Sequence, residues 1–164
     1  MNTKTLVVPN AVLLEEVRRQ LKAGHTATFR VRGWSMRPFL EHGRDAVLVV
    51  SPDVRPVRVG DAALILADDG RYILHRVVSI DEKGNCTLWG DGNVQGRETC
   101  TPDNVIGVVK GFYIGRKERY FDAEGRAWRW YSWFWMHTTP LRRYMLFLYR
   151  VCYKLHLTER GSAQ

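Results

Sequence analysis

Hydrophobic and polar positions along this chain follow two different periods. Between residues 10 and 23, Leu13, Val17 and Leu21 recur at i, i+4 and i+8, the narrow apolar stripe of a helix that Asn10 can cap and Gly24 can end. At His25 the period drops to two: Ala27, Phe29 and Val31 alternate with Thr26, Thr28 and Arg30, as in a half-buried strand. Ala46 to Val50 is apolar throughout, Pro52 and Pro56 interrupt, and Ala62 to Ala67, Arg71 to Ile80, Cys86 to Trp89 and Val105 to Tyr113 supply further strand-like runs. Asp68-Asp69-Gly70 between two of these runs predicts an antiparallel hairpin with His75 in mid-strand. Short strands with turn punctuation and no alternating helices predict a mainly β fold, a curled antiparallel sheet assembly with a short N-terminal helix.

After Gly125 the pattern changes. Ala127 to Met136 is nearly all aromatic, Pro140 interrupts, and Leu141 to Leu157 reads as an amphipathic helix. At 100° per residue Leu141, Met145, Leu148, Cys152 and Leu155 share one face and Arg143, Arg150 and Lys154 the opposite one. Neither half reaches the ~20 apolar residues of a membrane span. The expected organisation is therefore an N-terminal helix over 1–24, a β domain over 25–125 and an aromatic, basic C-terminal segment over 126–164. Because every expected strand precedes Gly125, removing that last segment is expected to leave the β domain folded.

The net charge of +8 sharpens this division, since residues 116–164 carry ten basic and four acidic side chains while residues 1–115 carry fifteen and thirteen. Trp128, Trp130, Trp133 and Trp135 lie in the same basic stretch. Cations opposite an apolar face beside tryptophans suit a helix lying in a membrane interface, or one docked on a protein, so Trp128 to Leu157 is expected to meet an anionic membrane surface or a partner protein. No helix-turn-helix or aromatic-basic RNA motif accompanies the charge, so nucleic acid is not expected as a partner. Cys86, Cys100 and Cys152 cannot all pair within one chain and show no C-x-x-C spacing, pointing to a reducing compartment. His25, His42, His137 and His156 are scattered, so neither a metal nor another cofactor is expected. Met1 to Pro9 offers only Leu6-Val7-Val8 as an apolar run, too short for a secretory signal or a span. The expected location is the cytoplasm, with peripheral contact at the inner face of the membrane.

The candidate chemistry centres on Ser35. Gly33 before it can take backbone angles closed to other residues, and Pro38 after it fixes its own φ, so the hydroxyl sits in a turn that can present it outward. An ordinary surface turn would use the same residues. Further along, His75 offers a base and Asp91, in Gly90-Asp91-Gly92-Asn93, a carboxylate. A neutral imidazole can take a serine proton near neutral pH without the desolvation a lysine base requires.

Four boxes in this order resemble the type I signal peptidases: Gly33-Trp34-Ser35-Met36-Arg37-Pro38, Gly60-Asp61 before a strand, His75-Arg76-Val77, and Gly90 to Asn93. The likeness covers roughly residues 25 to 110. Histidine at 75, where many bacterial members carry lysine, resembles the Ser-His branch of endoplasmic reticulum and archaeal enzymes within the wider LexA-like serine peptidases. The resemblance implies a serine endopeptidase with Ser35 as nucleophile, His75 as base and then acid, and Asp91 orienting His75. Gly33, Met36 and Pro38 would line the substrate groove, and the backbone N–H of Ser35 would be one oxyanion donor, the second remaining unidentified because Gly33 replaces the serine some relatives use. The implied substrate is an extended peptide or precursor protein with small residues flanking the cut. Asp45 and Asp61 read as turn-formers. A non-catalytic peptide-binding or membrane-associated module on the same fold is the alternative.

Overall fold

The computed structural model describes residues 10–161, with side chains described over 12–153; the expectations for Met1 to Pro9, and for the side chains of Lys154, Leu155 and Leu157, lie outside these residues. Three α-helices, α1 (Asn10–Lys22), α2 (Arg126–His137) and α3 (Arg142–Gly161), surround eight strands. The strands are β1 (Ala27–Arg30), β2 (Ala46–Val50), β3 (Ala62–Leu66), β4 (Tyr72–Ile80), β5 (Cys86–Trp89), β6 (Glu98–Cys100), β7 (Val105–Ile114) and β8 (Arg119–Asp122).

All pair antiparallel in the order β1-β2-β7-β3-β4-β5-β6, and the sheet is not closed. β7 runs through its middle. One edge of β7 pairs β2 from Val108 to Tyr113, while the other pairs β3 from Val105 to Val108 and β8 from Gly111 onward, so β3 and β8 share a side. The hairpin at Asp68-Asp69-Gly70 forms with Ala63 opposite His75, and Gly70 takes a φ of 80°.

Alternation along β3 separates two cores. Ala62 and Leu64 face Val17 and Leu21 of α1, Val47, Val49, Phe112 and Trp128, whereas Ala63 and Ile65 face Ile73, Val77, Leu88, Cys86 and Cys100. Cys86 and Cys100 lie directly opposite each other across β5 and β6, both as buried free thiols. The inward stripe of α1 is Leu14, Val17 and Leu21, with Leu13 partly exposed. Gly24, at a φ of 81°, ends the helix, and His25 N–H donates back to the Gln20 carbonyl at 3.0 Å.

Asp45 and Asp61 do form turns, but as buried ion-paired anchors. Asp61 takes both Arg55 Nη1 and Nη2, at 3.0 and 2.7 Å, together with the Arg58 N–H. Asp45 accepts from the N–H groups of Glu41 and Gly115 at 2.7 and 2.8 Å and from Arg44. Burial opposes its charge, but the Arg44 guanidinium and these N–H donors win and hold the carboxyl below its usual range.

The C-terminal segment is built into the fold. Trp128 of α2 is buried with its ring 4.3 Å from Phe112 and 4.9 Å from Phe39, and Ser132 and Trp135 are buried on the same face. On α3, Leu146, Arg142 and the half-buried Tyr149 and Tyr153 face the domain, while Leu148, and Leu141 just before the helix, both on the apolar face expected to meet a membrane or a protein, are exposed. A helix with apolar residues on both sides has no unique stripe, and packing against the loops selects one. Arg142, inside the segment expected to meet a membrane surface or a partner protein, is buried with its guanidinium 3.8 Å from the Trp89 ring centroid. Among the described residues no helix is long and apolar enough to cross a membrane.

Two outcomes follow. Truncation after Gly125 removes Trp128, a loss that for one buried aromatic costs about 3–5 kcal/mol, so the truncated chain is expected to lose its cooperative thermal transition; a sharp transition near that of the full chain would contradict this packing. The stability Asp45 confers is present above the unfolded aspartate value of about 3.9 and is lost as pH falls below it through the depressed folded one. Asp45→Asn should therefore flatten the acid limb of urea midpoints measured between about pH 5 and pH 3.

Candidate functional site

The site is assembled from three loops and β4 around one buried ion pair. Arg76 lies in mid-strand, fully buried, where an unpaired cation would be prohibitive. Asp91, equally buried, meets it with two parallel bonds, Nε to Oδ1 at 2.8 Å and Nη2 to Oδ2 at 2.6 Å. Arg76 Nη1 also donates to the Gly60 carbonyl at 3.0 Å and to Ser132 Oγ, and its guanidinium lies 4.3 Å from the Trp128 ring centroid. Burial works against its charge, yet the Asp91 carboxylate outweighs that and raises the guanidinium pKa. Tyr131 Oη donates to Asp91 Oδ2 at 3.2 Å, and burial, reinforced by that carboxylate, raises the phenol pKa.

Asp91 is therefore spoken for by Arg76. It fixes the Gly90 to Asn93 turn, and the turn grips the serine loop: Gly92 N–H donates to the Ser35 carbonyl at 2.7 Å. Both glycines are required by closeness. A Cβ at Gly92 would sit 2.5 Å from the Trp34 carbonyl oxygen, and one at Gly90 would sit 2.6 Å from the Ser35 carbonyl oxygen, 2.8 Å from Asn93 Nδ2 and 2.9 Å from His75 Nε2.

The carboxylate beside His75 is Glu98 of β6, whose Oε2 lies 2.8 Å from Nδ1. Glu98 is the residue that the sequence reading missed and Asp91 is the residue it put in this place. With Nδ1 bonded to Glu98, the ring directs Nε2 toward Gly90 and the serine loop. His75 is buried and Ser35 half-buried, and both line a cavity of about 290 Å³ with Gly33, Met36, Asn93 and Glu98. No hydrogen bond joins Ser35 Oγ to His75, and among the described residues the Ser35 N–H meets no acceptor.

The serine loop is held from outside the cavity. Gly33, at a φ of 97°, donates its N–H to His42 Nδ1 at 2.9 Å. Arg37 pairs with Glu41, whose other oxygen accepts from Tyr149 Oη of α3 at 3.0 Å; burial and that carboxylate push the phenol up to about 12. Met36 both lines the cavity and packs into the core. Pro38, expected beside the substrate, faces the opposite side of the loop with Trp34, His42, Tyr149 and Tyr153.

Leu14, Phe29, Val31, Leu64 and Leu74 give the cavity an apolar wall, and Arg30, Arg32, Arg71 and Tyr72 also line it. Its two rims are strand edges. β1 pairs only β2, and β4 is joined to β5 only from Arg76 onward, which leaves Tyr72 to His75 with one open edge. Among the described residues no three His, Cys, Asp or Glu side chains converge as metal ligands would. An imidazole oriented by a carboxylate and facing a serine loop can move a proton, and open strand edges can bind extended peptide backbone. No family model matches the chain, and no curated protein matches it either.

The two carboxylates should separate in solution. Asp91→Asn leaves Arg76 buried without its counter-charge and is expected to cost about 3–5 kcal/mol in urea unfolding. Glu98→Gln, at a partly exposed position, should cost about 1 kcal/mol or less while shifting the His75 ring proton resonances. Equal losses from both substitutions would contradict these assignments.

Proposed function

We propose that this chain is a serine peptidase-like hydrolase of the type I signal peptidase kind, with the LexA-like fold that this kinship implies. The observation that carries the reading is that Ser35 and His75, forty residues apart, line one cavity with His75 Nδ1 bonded to Glu98. In this reading His75 Nε2 takes the Ser35 Oγ proton as the oxygen attacks a peptide carbonyl, and Glu98 stabilises the imidazolium that forms. The imidazolium then protonates the leaving amine, and water, activated by the same nitrogen, hydrolyses the acyl-enzyme. The Ser35 N–H serves the oxyanion, and Asn93 Nδ2 is the side-chain donor in the same cavity, filling the role left open by Gly33.

Substrate backbone is held in an extended form between β1 and the open edge of β4, and an apolar side chain enters the wall formed by Leu14, Phe29, Val31 and Leu74. The missing Ser35–His75 hydrogen bond favours a second reading, a peptide-binding module that keeps the groove without the chemistry. Purified full-length protein with a quenched-fluorescence peptide library separates the two. Hydrolysis that falls about a thousandfold or more in Ser35→Ala, and falls steeply in His75→Ala, supports the hydrolase; turnover unchanged in Ser35→Ala, or peptide binding with no turnover in the wild type, supports the module.

A further inference from the structure

The inward face of α3 is explained by the fold; its outward face is not. Arg142, Leu146, Tyr149 and Tyr153 point to the domain, where Tyr149 Oη bonds Glu41 and the Arg37 guanidinium lies 4.6 Å from the Tyr153 ring centroid. On the opposite side Leu141, Tyr144, Phe147, Leu148 and Val151 recur at helical spacing and all are exposed. Tyr144 and Phe147 are each 65% exposed, as is Trp130 on α2, and Trp133 beside it is 55% exposed. So much aromatic surface in contact with water is unusual for a helix that already has a packed face.

Charge says what kind of surface would cover it. Between Glu124 and Glu159 the sequence contains no acidic residue and six basic ones. On the helical wheel, Arg143 and Arg150, both exposed, run along one border of the outward apolar arc. A second copy of this chain is a poor partner for that face, because pairing it with itself would bring the two arginine rows together with no carboxylate between Glu124 and Glu159 to offset them. A planar layer of acyl chains under anionic headgroups satisfies both parts: leucine and phenylalanine enter the chains, tryptophan and tyrosine sit at the boundary, and the arginines meet the phosphates.

We propose that the outward face of α3, with Trp130 and Trp133 of α2, docks on an anionic lipid surface. The contact lies in the interface and does not cross it. Because Tyr149 ties α3 to Glu41, and Glu41 to Arg37, the docked helix is bonded to the loop that carries Ser35. The proposal stands whether or not Ser35 is a nucleophile.

The test is sedimentation of the full-length protein with vesicles of phosphatidylcholine alone or with a third phosphatidylserine. Binding is expected to the mixed vesicles at low salt, to weaken with added salt, and to be at least tenfold weaker to neutral vesicles. The pair Phe147→Gln with Leu148→Gln, and separately Arg143→Glu with Arg150→Glu, should each reduce partitioning tenfold or more with unchanged thermal midpoints, since all four side chains are exposed. Tryptophan emission should shift to the blue on binding, and brominated lipids should quench it. Absence of binding to mixed vesicles at low salt would overturn the proposal, as would binding that survives both pairs of substitutions. A lipid-independent dimer dissolved by Phe147→Gln would assign the face to a second copy instead, and capture of an acidic protein without any lipid binding would assign it to a partner; either result also overturns it.

Discussion

The buried Arg76–Asp91 ion pair is the constraint on which the site depends. A guanidinium in the middle of an apolar strand is costly to bury unless its charge is matched and its donors are bonded. Its solution draws on three separate parts of the chain: Asp91 after β5, Gly60 before β3, and Ser132 and Trp128 from α2. Those parts cannot move independently afterwards. The helix that looked like an appendage is fixed to the sheet, and the Gly90 to Asn93 turn is fixed beside the serine loop.

From that turn the geometry passes to Ser35 through backbone alone. Gly92 donates to the Ser35 carbonyl, and Gly90 lets His75 Nε2, Asn93 Nδ2 and the serine loop approach one point too crowded for a methyl group. Asp91 thus influences the proposed proton transfer by positioning, while Glu98 touches the imidazole directly. On the far side of the loop, Glu41 and Tyr149 give α3 a hold on the same segment. Two helices and an ion pair therefore converge on a serine turn that lies in no strand.

Much of the fold was legible because its central strands are continuous apolar runs and its main hairpin carries a Gly turn. β6 and β8 were not: Glu98-Thr99-Cys100 and Arg119-Tyr120-Phe121-Asp122 are short, lack a clean alternation, and form because longer neighbours offer them an edge. Glu98 is hidden with β6, and the place beside His75 is one that the family resemblance assigns to Asp91. One signal in the sequence pointed the other way. Arg76 within an apolar run demands a buried counter-charge more strongly than a histidine demands an orienter, and Asp91 is what it found. The register of α3 was ambiguous for a different reason, since both of its faces carry apolar side chains and only the partners Glu41 and Arg37 decide which one turns inward.

Ser35 and His75 line one cavity, and the reactivity proposed for them is directly measurable. The full-length protein would be incubated with a fluorophosphonate near neutral pH, digested, and mapped by mass spectrometry. The proposed chemistry predicts a stoichiometric adduct on Ser35 that forms much more slowly in His75→Ala and in Glu98→Gln while both variants remain folded. An unmodified Ser35, or one that is modified equally fast without His75, would contradict it.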